Sequence, residues 1–320
     1  MQRVFLGDSG AEVSALCLGC MFFGTQVDEQ TAFRLLDRYF DAGGRFLDTA
    51  NNYAFWVDGG QGGESESLLG RWLERRGNRN DVFLATKVGA NPTVAGGGLE
   101  TAEGLSAGAI RRAVDASLRR LGTDYIDLYY AHIDDRATPL EETLAAFGEL
   151  VAAGQVRNVG CSNMTAWRIE RARRLADGHG MASYCCVQQR HSYLRPKPGA
   201  DLGVQLAAGD ELLDYCAGND DVALLAYSPL LGGAYTRTDR PLPAAYVGPD
   251  SDARVAALRE VATAVGATPN QVVLAWLRAS TPAAIPLIAA STEAQLAENL
   301  AALDFDLGER ELHHLSAAGA

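Results

Sequence analysis

An acid and a phenol stand five residues apart in the stretch RFLDTANNYAFW, residues 45–56, as Asp48 and Tyr53. Neither does much chemistry alone at neutral pH, because a free tyrosine has a pKa of about 10 and is a poor proton donor. Two further groups change this. Lys87 closes the apolar run in DVFLATKVG, and His132 closes the one in DLYYAHIDD. A cationic lysine within about 4–6 Å favours the phenolate and is expected to lower the tyrosine pKa. A lysine held charged in a crowded pocket needs a carboxylate partner, which Asp48 supplies. Tyr53 then becomes a usable general acid, or a base in reverse, and His132 orients a carbonyl oxygen by hydrogen bonding. The set suits protonation of an aldehyde or ketone oxygen while hydride reaches the carbon.

Taken singly, each residue has an ordinary role. An Asp after a strand often caps the next turn, a lysine there is a solvated charge, and a histidine is a satisfied structural group. The set gains meaning only in a fold that gathers strand ends. Short apolar runs span 15–19, 45–48, 82–87, 126–131, 156–161, 185–188, 222–227 and 284–288, as expected of strands covered on both faces. Amphipathic helices separate them. Residues 138–141, with Pro139 at the first helical position, read as a capping box, and 268–271 and 292–295 repeat the device. In 106–122, Ile110, Val114, Leu118 and Leu121 form one stripe, and Gly122 is the stop.

Strand–helix repeated eight times predicts an α/β fold, a (β/α)8 TIM barrel, as a single domain over residues 1–320. A short β-hairpin from runs at 4–6 and 13–16 precedes it, and helices near 251–266 and 269–280 fall between the seventh and eighth strands. A doubly wound sheet is the rival, but no GxGxxG opens a βα unit and no GxxxxGK[ST] occurs. A barrel concentrates chemistry at the C-terminal ends of its strands. There the chain puts Asp48, Lys87, His132, then Ser162 with Asn163, Gln188, and Tyr227 with Ser228.

The gross features narrow the partners. A net charge of −12 and a pI near 4.9 argue against nucleic acid. No apolar run approaches the ~18 residues of a membrane span, and the N-terminus lacks the apolar core of a signal peptide. The six cysteines include Cys17 and Cys20 as a lone CxxC without a second ligand pair at zinc spacing, so they read as buried apolar residues in a reducing, cytoplasmic setting. The sequence carries no signal of oligomeric state.

The ordered motifs FLDTANNY, TKVG, DLYYAHIDD and VGCSNM resemble those of the aldo-keto reductase superfamily, and the resemblance covers essentially the whole chain. It implies an NADPH-using reductase of small-molecule carbonyl substrates, with Asp48, Tyr53, Lys87 and His132 as the catalytic tetrad. It implies that Ser162, Asn163 and Gln188 hold the nicotinamide carboxamide, that Tyr227 stacks on the nicotinamide ring, and that Met21 is among the cofactor contacts. Ser228, Pro229, Leu230 and Gly232 would wrap the pyrophosphate, and Glu298 and Asn299 would contact adenine. After the eighth strand, where the family usually presents a cation to the 2′-phosphate, this chain has Ala289, Ala290, Ser291 and Gln295. NADPH is therefore the expectation and NADH the alternative. Phe22, Phe23, Phe55 and Trp56 are expected to line the substrate pocket, with the loops at 90–106 and 195–210 setting specificity. His191 is read as structural or pocket-lining. Two other readings stand beside this one: a catalytically silent nucleotide-binding regulatory subunit of the same superfamily, and a barrel aldolase with Lys87 as Schiff-base nucleophile.

Overall fold

The computed structural model describes residues 1–319. Strands β1 (Arg3–Phe5) and β2 (Glu12–Ser14) pair antiparallel. Eight parallel strands then close a barrel: β3 (Cys17–Gly19), β4 (Phe46–Asp48), β5 (Phe83–Val88), β6 (Ile126–Ala131), β7 (Val156–Ser162), β8 (Tyr184–Arg190), β9 (Ala223–Tyr227) and β10 (Ala284–Ile288), with β10 pairing β3. The expected (β/α)8 barrel and leading hairpin are both present. The sixth barrel strand, β8, runs two residues beyond the apolar pattern, so Gln189 and Arg190 also pair with β9.

Helices α1 (Glu29–Asp41), α2 (Glu64–Arg76), α3 (Ala107–Leu121), α4 (Leu140–Ala152), α5 (Ala166–His179) and α6 (Asp210–Ala217) follow successive strands. Helices α7 (Pro249–Val265) and α8 (Pro269–Ala279) lie between β9 and β10, and α9 (Glu293–Ala301) and α10 (Glu309–Ala317) complete the chain. Gly122 ends α3 in the left-handed conformation, as its position requires. Of the three expected capping boxes only that of Thr268 and Gln271 is complete. Thr292 caps α9, but the Gln295 amide oxygen accepts from Ser291 N–H and Oγ instead of closing the box. Helix α4 has no side-chain cap, because the Thr138 hydroxyl donates to Asp135 at 2.7 Å.

The barrel interior is filled by Cys17, Phe46, Ala85, Leu128, Tyr130, Cys186, Leu225 and Ile285, joined by Leu6 and Val13 of the hairpin. The hairpin plugs the end where the strands begin: Asp8 N–H donates to the Asp221 carbonyl, just ahead of β9. That leaves the opposite end open for chemistry. Tyr130 sits under the site, with its ring centroid 5.6 Å from Lys87 Nζ. Gly160 on β7 makes room for it, since a Cβ there would lie 2.9 Å from the Tyr130 ring and 2.7 Å from Cys186 Sγ. On the outer face of β5, Thr86 donates to the buried Glu66 at 2.6 Å, and Arg120 bonds the same carboxylate from α3. These contacts fix the strand that carries Lys87.

Candidate active site

The barrel brings Asp48, Tyr53, Lys87 and His132 together. Asp48 is the last residue of β4 and Lys87 the penultimate residue of β5, two positions beyond Ala85, which pairs with Asp48. The chain leaving β4 makes a tight turn, with Ala54 at φ 68°, and this turn returns Tyr53 over the barrel. A non-glycine residue in that region is strained, and such residues cluster at functional sites. Asn163, Ser228 and Leu231 share the feature, at φ 53°, 54° and 49°. All four follow C-terminal ends of barrel strands.

Lys87 is fully buried and has three ammonium protons. It donates to an Asp48 carboxylate oxygen, to the Thr49 carbonyl at 2.8 Å and to Tyr53 Oη at 2.7 Å. The Thr49 acceptor is a backbone group, which residue types do not reveal. Tyr53 in turn donates to Asp48 at 3.3 Å, and Gln188 Nε2 donates to the other Asp48 oxygen at 2.8 Å. The carboxylate thus receives donors on both oxygens, which a buried charge requires.

The acidity of Tyr53 runs against the expectation from Lys87 alone. Burial, and then the Asp48 charge, push the phenol well above its ordinary value of 10. Burial also lowers Lys87, with Asp48 opposing. The resting phenol therefore keeps its proton, and the lysine stands ready to stabilise the phenolate once the proton leaves. His132 lies half-buried at the mouth, its ring edge-on to Tyr53 with centroids 5.8 Å apart. Burial, and then the Lys87 charge, hold its imidazole well below 6.5, so the ring is neutral. Its Nδ1 is buried without a hydrogen-bond partner among the described residues.

The residues expected to hold a dinucleotide are more occupied than the sequence suggested. Ser162 Oγ donates to the Gln188 carbonyl at 2.7 Å. The Asn163 amide donates to the His132 carbonyl and to Ser162 Oγ, while its oxygen accepts from Leu206 N–H and from Tyr227 Oη at 2.8 Å. A ligand reaching Asn163 or Gln188 must exchange one of these bonds. Tyr227 is half-buried, and its hydroxyl is pinned by Asn163. After it, positive φ at Ser228, Leu231, Gly232 and Gly233 gives a tight loop of the kind that binds anions, with the Leu231 and Gly233 N–H groups already donating to the Ser228 and Leu230 carbonyls. A Cβ on Gly232 would meet nothing within 4 Å, so that surface is open. These residues fit a pyrophosphate. A cation the sequence reading did not single out, Arg237, lies against this loop: its Cδ is 2.9 Å from the place of a Gly233 Cβ, and it pairs with Asp239.

Beyond β10, Ser291 and Gln295 are bonded to each other, and Glu293 draws Arg34 and Arg38 to 3.2 and 3.4 Å. Three of the expected contact residues are less open to a ligand. Asn299 is 2% exposed and its amide holds the Ala289 carbonyl, so it supports the turn instead of lining a surface, while Glu298 accepts from Thr268 and Asn270. Phe23 is likewise 2% exposed and packs in the core between barrel and helices. Met21 and Phe22 are half-buried, and Phe55 and Trp56 form an edge-to-face pair at 5.1 Å, with Trp56 49% exposed. His191 is buried 6.0 Å from Trp276, away from the tetrad.

The model of the Aldo/keto reductase family matches residues 15–319. Norsolorinic acid reductase stcV of Emericella nidulans is 34% identical, the match covering 98% of this chain and 80% of the relative. The uncharacterized oxidoreductase YrpG of Bacillus subtilis is also 34% identical, covering 99% and 95%. Among solved structures, the thermostable aldo-keto reductase Tm1743, in complex with the inhibitor epalrestat, superimposes with a TM-score of 0.78 at 28% identity over 99% of each chain.

Proposed function

Since the chain belongs to the aldo/keto reductase family of oxidoreductases, we propose that it reduces the carbonyl of an aldehyde or ketone with Tyr53 as proton donor. The observation that carries this reading is the ammonium of Lys87 placed 2.7 Å from the Tyr53 hydroxyl in a buried site. A reduced nicotinamide dinucleotide, NADPH or NADH, supplies the hydride when bound. Tyr227 offers its ring face and the 228–233 loop its backbone to that group, with Arg237 beside it. Substrate oxygen sits between Tyr53 and the neutral His132, whose single N–H orients it. As negative charge gathers on that oxygen, Tyr53 transfers its proton, and Lys87 stabilises the phenolate left behind. Asp48 keeps Lys87 charged, and Gln188 keeps Asp48 in place.

The aromatic rim of Phe22, Phe55 and Trp56 favours an aryl or polycyclic carbonyl compound. Several relatives are named norsolorinic acid reductases, which makes norsolorinic acid a further candidate substrate. The test is a single turnover: protein loaded with NADPH is mixed with an activated benzaldehyde. One equivalent of cofactor oxidised supports the reading. Tight NADPH binding without oxidation by any of a panel of aryl aldehydes and ketones would favour the silent regulatory subunit.

A further inference from the structure

A second cleft, of about 400 Å³, lies outside the tetrad, and none of Asp48, Tyr53, Lys87 or His132 lines it. Its walls come from the segment after β8, the first turn of α6, and Arg254 and Trp276 on α7 and α8. Three guanidinium groups border it, those of Arg190, Arg195 and Arg254. None forms an ion pair among the described residues, in a chain whose net charge is −12.

The hydrogen bonds of these groups leave donors unspent. Arg190 uses Nε on Tyr246 at 2.8 Å and Nη1 on Gln205 at 2.7 Å, both neutral partners. Arg254 is 1% exposed, and its Nε and Nη1 reach only the carbonyls of Tyr193 and Ala318, at 2.9 Å each. Neither Nη2 bonds any group among the described residues, and Arg195 makes no side-chain bond there. Burial, and then the nearby Arg195 charge, disfavour the charged form of Arg254, while Tyr193 and Asp250, the latter beyond ion-pair distance, oppose them. Asp210 is the one carboxylate lining the cleft, and His191 is neutral there, held near a pKa of about 4 by burial. Arg254 is buried, Arg190 half-buried and Arg195 exposed, so three cations face Asp210 and the more distant Asp250, and an anion joining them offsets the charge that Arg254 carries out of water. Beside them the Trp276 ring borders the cleft, while the Tyr193 and Tyr246 rings are buried and face Arg254 and Arg190, at 4.4 and 5.5 Å.

We propose that this cleft binds a small organic oxyanion with a planar apolar body, its carboxylate held by the Arg190 and Arg195 guanidinium edges and its body set against Trp276. Guanidinium forks match carboxylate geometry, and the Trp276 ring supplies the apolar contact. The reading is independent of the reductase assignment.

The probes are benzoate and inorganic phosphate, titrated separately into the full chain by calorimetry at constant ionic strength. Benzoate is expected to saturate, with phosphate at least about tenfold weaker because it lacks the ring. Arg190→Gln and Arg195→Gln should each weaken benzoate by about tenfold, the loss of one charge-assisted hydrogen bond, and Arg195→Gln, whose side chain is exposed and makes no bond in the free protein, should unfold as the wild type does. Both residues are used because Arg254 is buried and its replacement tests folding as well. Tyr53→Phe should bind benzoate as the wild type does. The proposal is overturned if benzoate fails to saturate, if both arginine variants bind it unchanged, or if Tyr53→Phe alone abolishes binding, which would put benzoate at the barrel mouth. Phosphate binding as tightly as benzoate would remove the aromatic part of the ligand.

Discussion

Replacing Lys87 separates two roles that one side chain performs. In Lys87→Met, Asp48 remains as a buried carboxylate with only Gln188 and Tyr53 donating to it. Stranding one charge of a buried pair costs about 3–5 kcal/mol, a large part of an ordinary domain's stability of about 5–15 kcal/mol. Adding Asp48→Asn removes the second charge, and most of that loss should return, since a neutral pair has little to desolvate. Activity should not return. With Lys87 Nζ 2.7 Å from Tyr53 Oη, a unit charge stabilises the phenolate by at most about 6 kcal/mol at an effective dielectric constant near 20. The charge-assisted hydrogen bond alone accounts for about 1.5–3 kcal/mol. Both the single and double variants should therefore lose between about tenfold and about 10⁴-fold in kcat. Urea unfolding midpoints and carbonyl reduction rates are measured on the same preparations. A double variant within a few-fold of wild-type kcat would mean that the proposed acid works without its ammonium neighbour, contrary to the role given to Lys87.

The pH dependence follows from Tyr53 and His132. Reduction needs the protonated phenol, and Tyr53 is held above 10, so kcat should stay flat from about pH 6 to about 9. Alcohol oxidation needs the phenolate and should rise with pH across that range, and an acid limb near 6.5 in either direction would contradict a neutral His132. His191 makes a stability prediction: its folded pKa of about 4 lies below the unfolded 6.5, so the unfolded chain binds the extra proton between them. Stability is thus intact above 6.5 and falls by about 3 kcal/mol as pH drops to 4, and in His191→Asn that part of the loss should be absent from urea midpoints. For the cofactor, Ser291, Gln295 and the start of α9 offer hydrogen bonds and a dipole, each contributing about 0.3–1 kcal/mol to a 2′-phosphate. NADPH and NADH should then bind within about tenfold of each other by fluorescence quenching, and a hundredfold preference for NADPH would point to a cation such as Arg237 reaching the phosphate.

The architecture was legible because a parallel barrel buries both faces of its strands. The runs at 126–131 and 284–288 coincide with β6 and β10. Strand ends were legible too, since a polar residue after such a run marks the rim, and this brought Asp48, Lys87 and His132 forward. What local pattern could not carry was the identity of each partner. Gln188 bonds Asp48 across 140 residues of sequence, and Asn163 spends its amide on Tyr227, Leu206 and His132. Nothing near Thr138 in sequence tells whether its hydroxyl caps a helix or, as it does, bonds Asp135. The direction of the Tyr53 shift failed for the same reason: the attraction of a nearby cation is readable from residue types, whereas the cost of burial needs the packed fold.

The most direct test of the account is Tyr53→Phe, which deletes one oxygen and leaves the ring over the barrel. The expected result is a loss of at least about 10²–10⁴-fold in the rate of carbonyl reduction at saturating cofactor, with dinucleotide affinity by fluorescence quenching within a few-fold of wild type. Near-normal turnover in this variant would mean that the proton comes from another group.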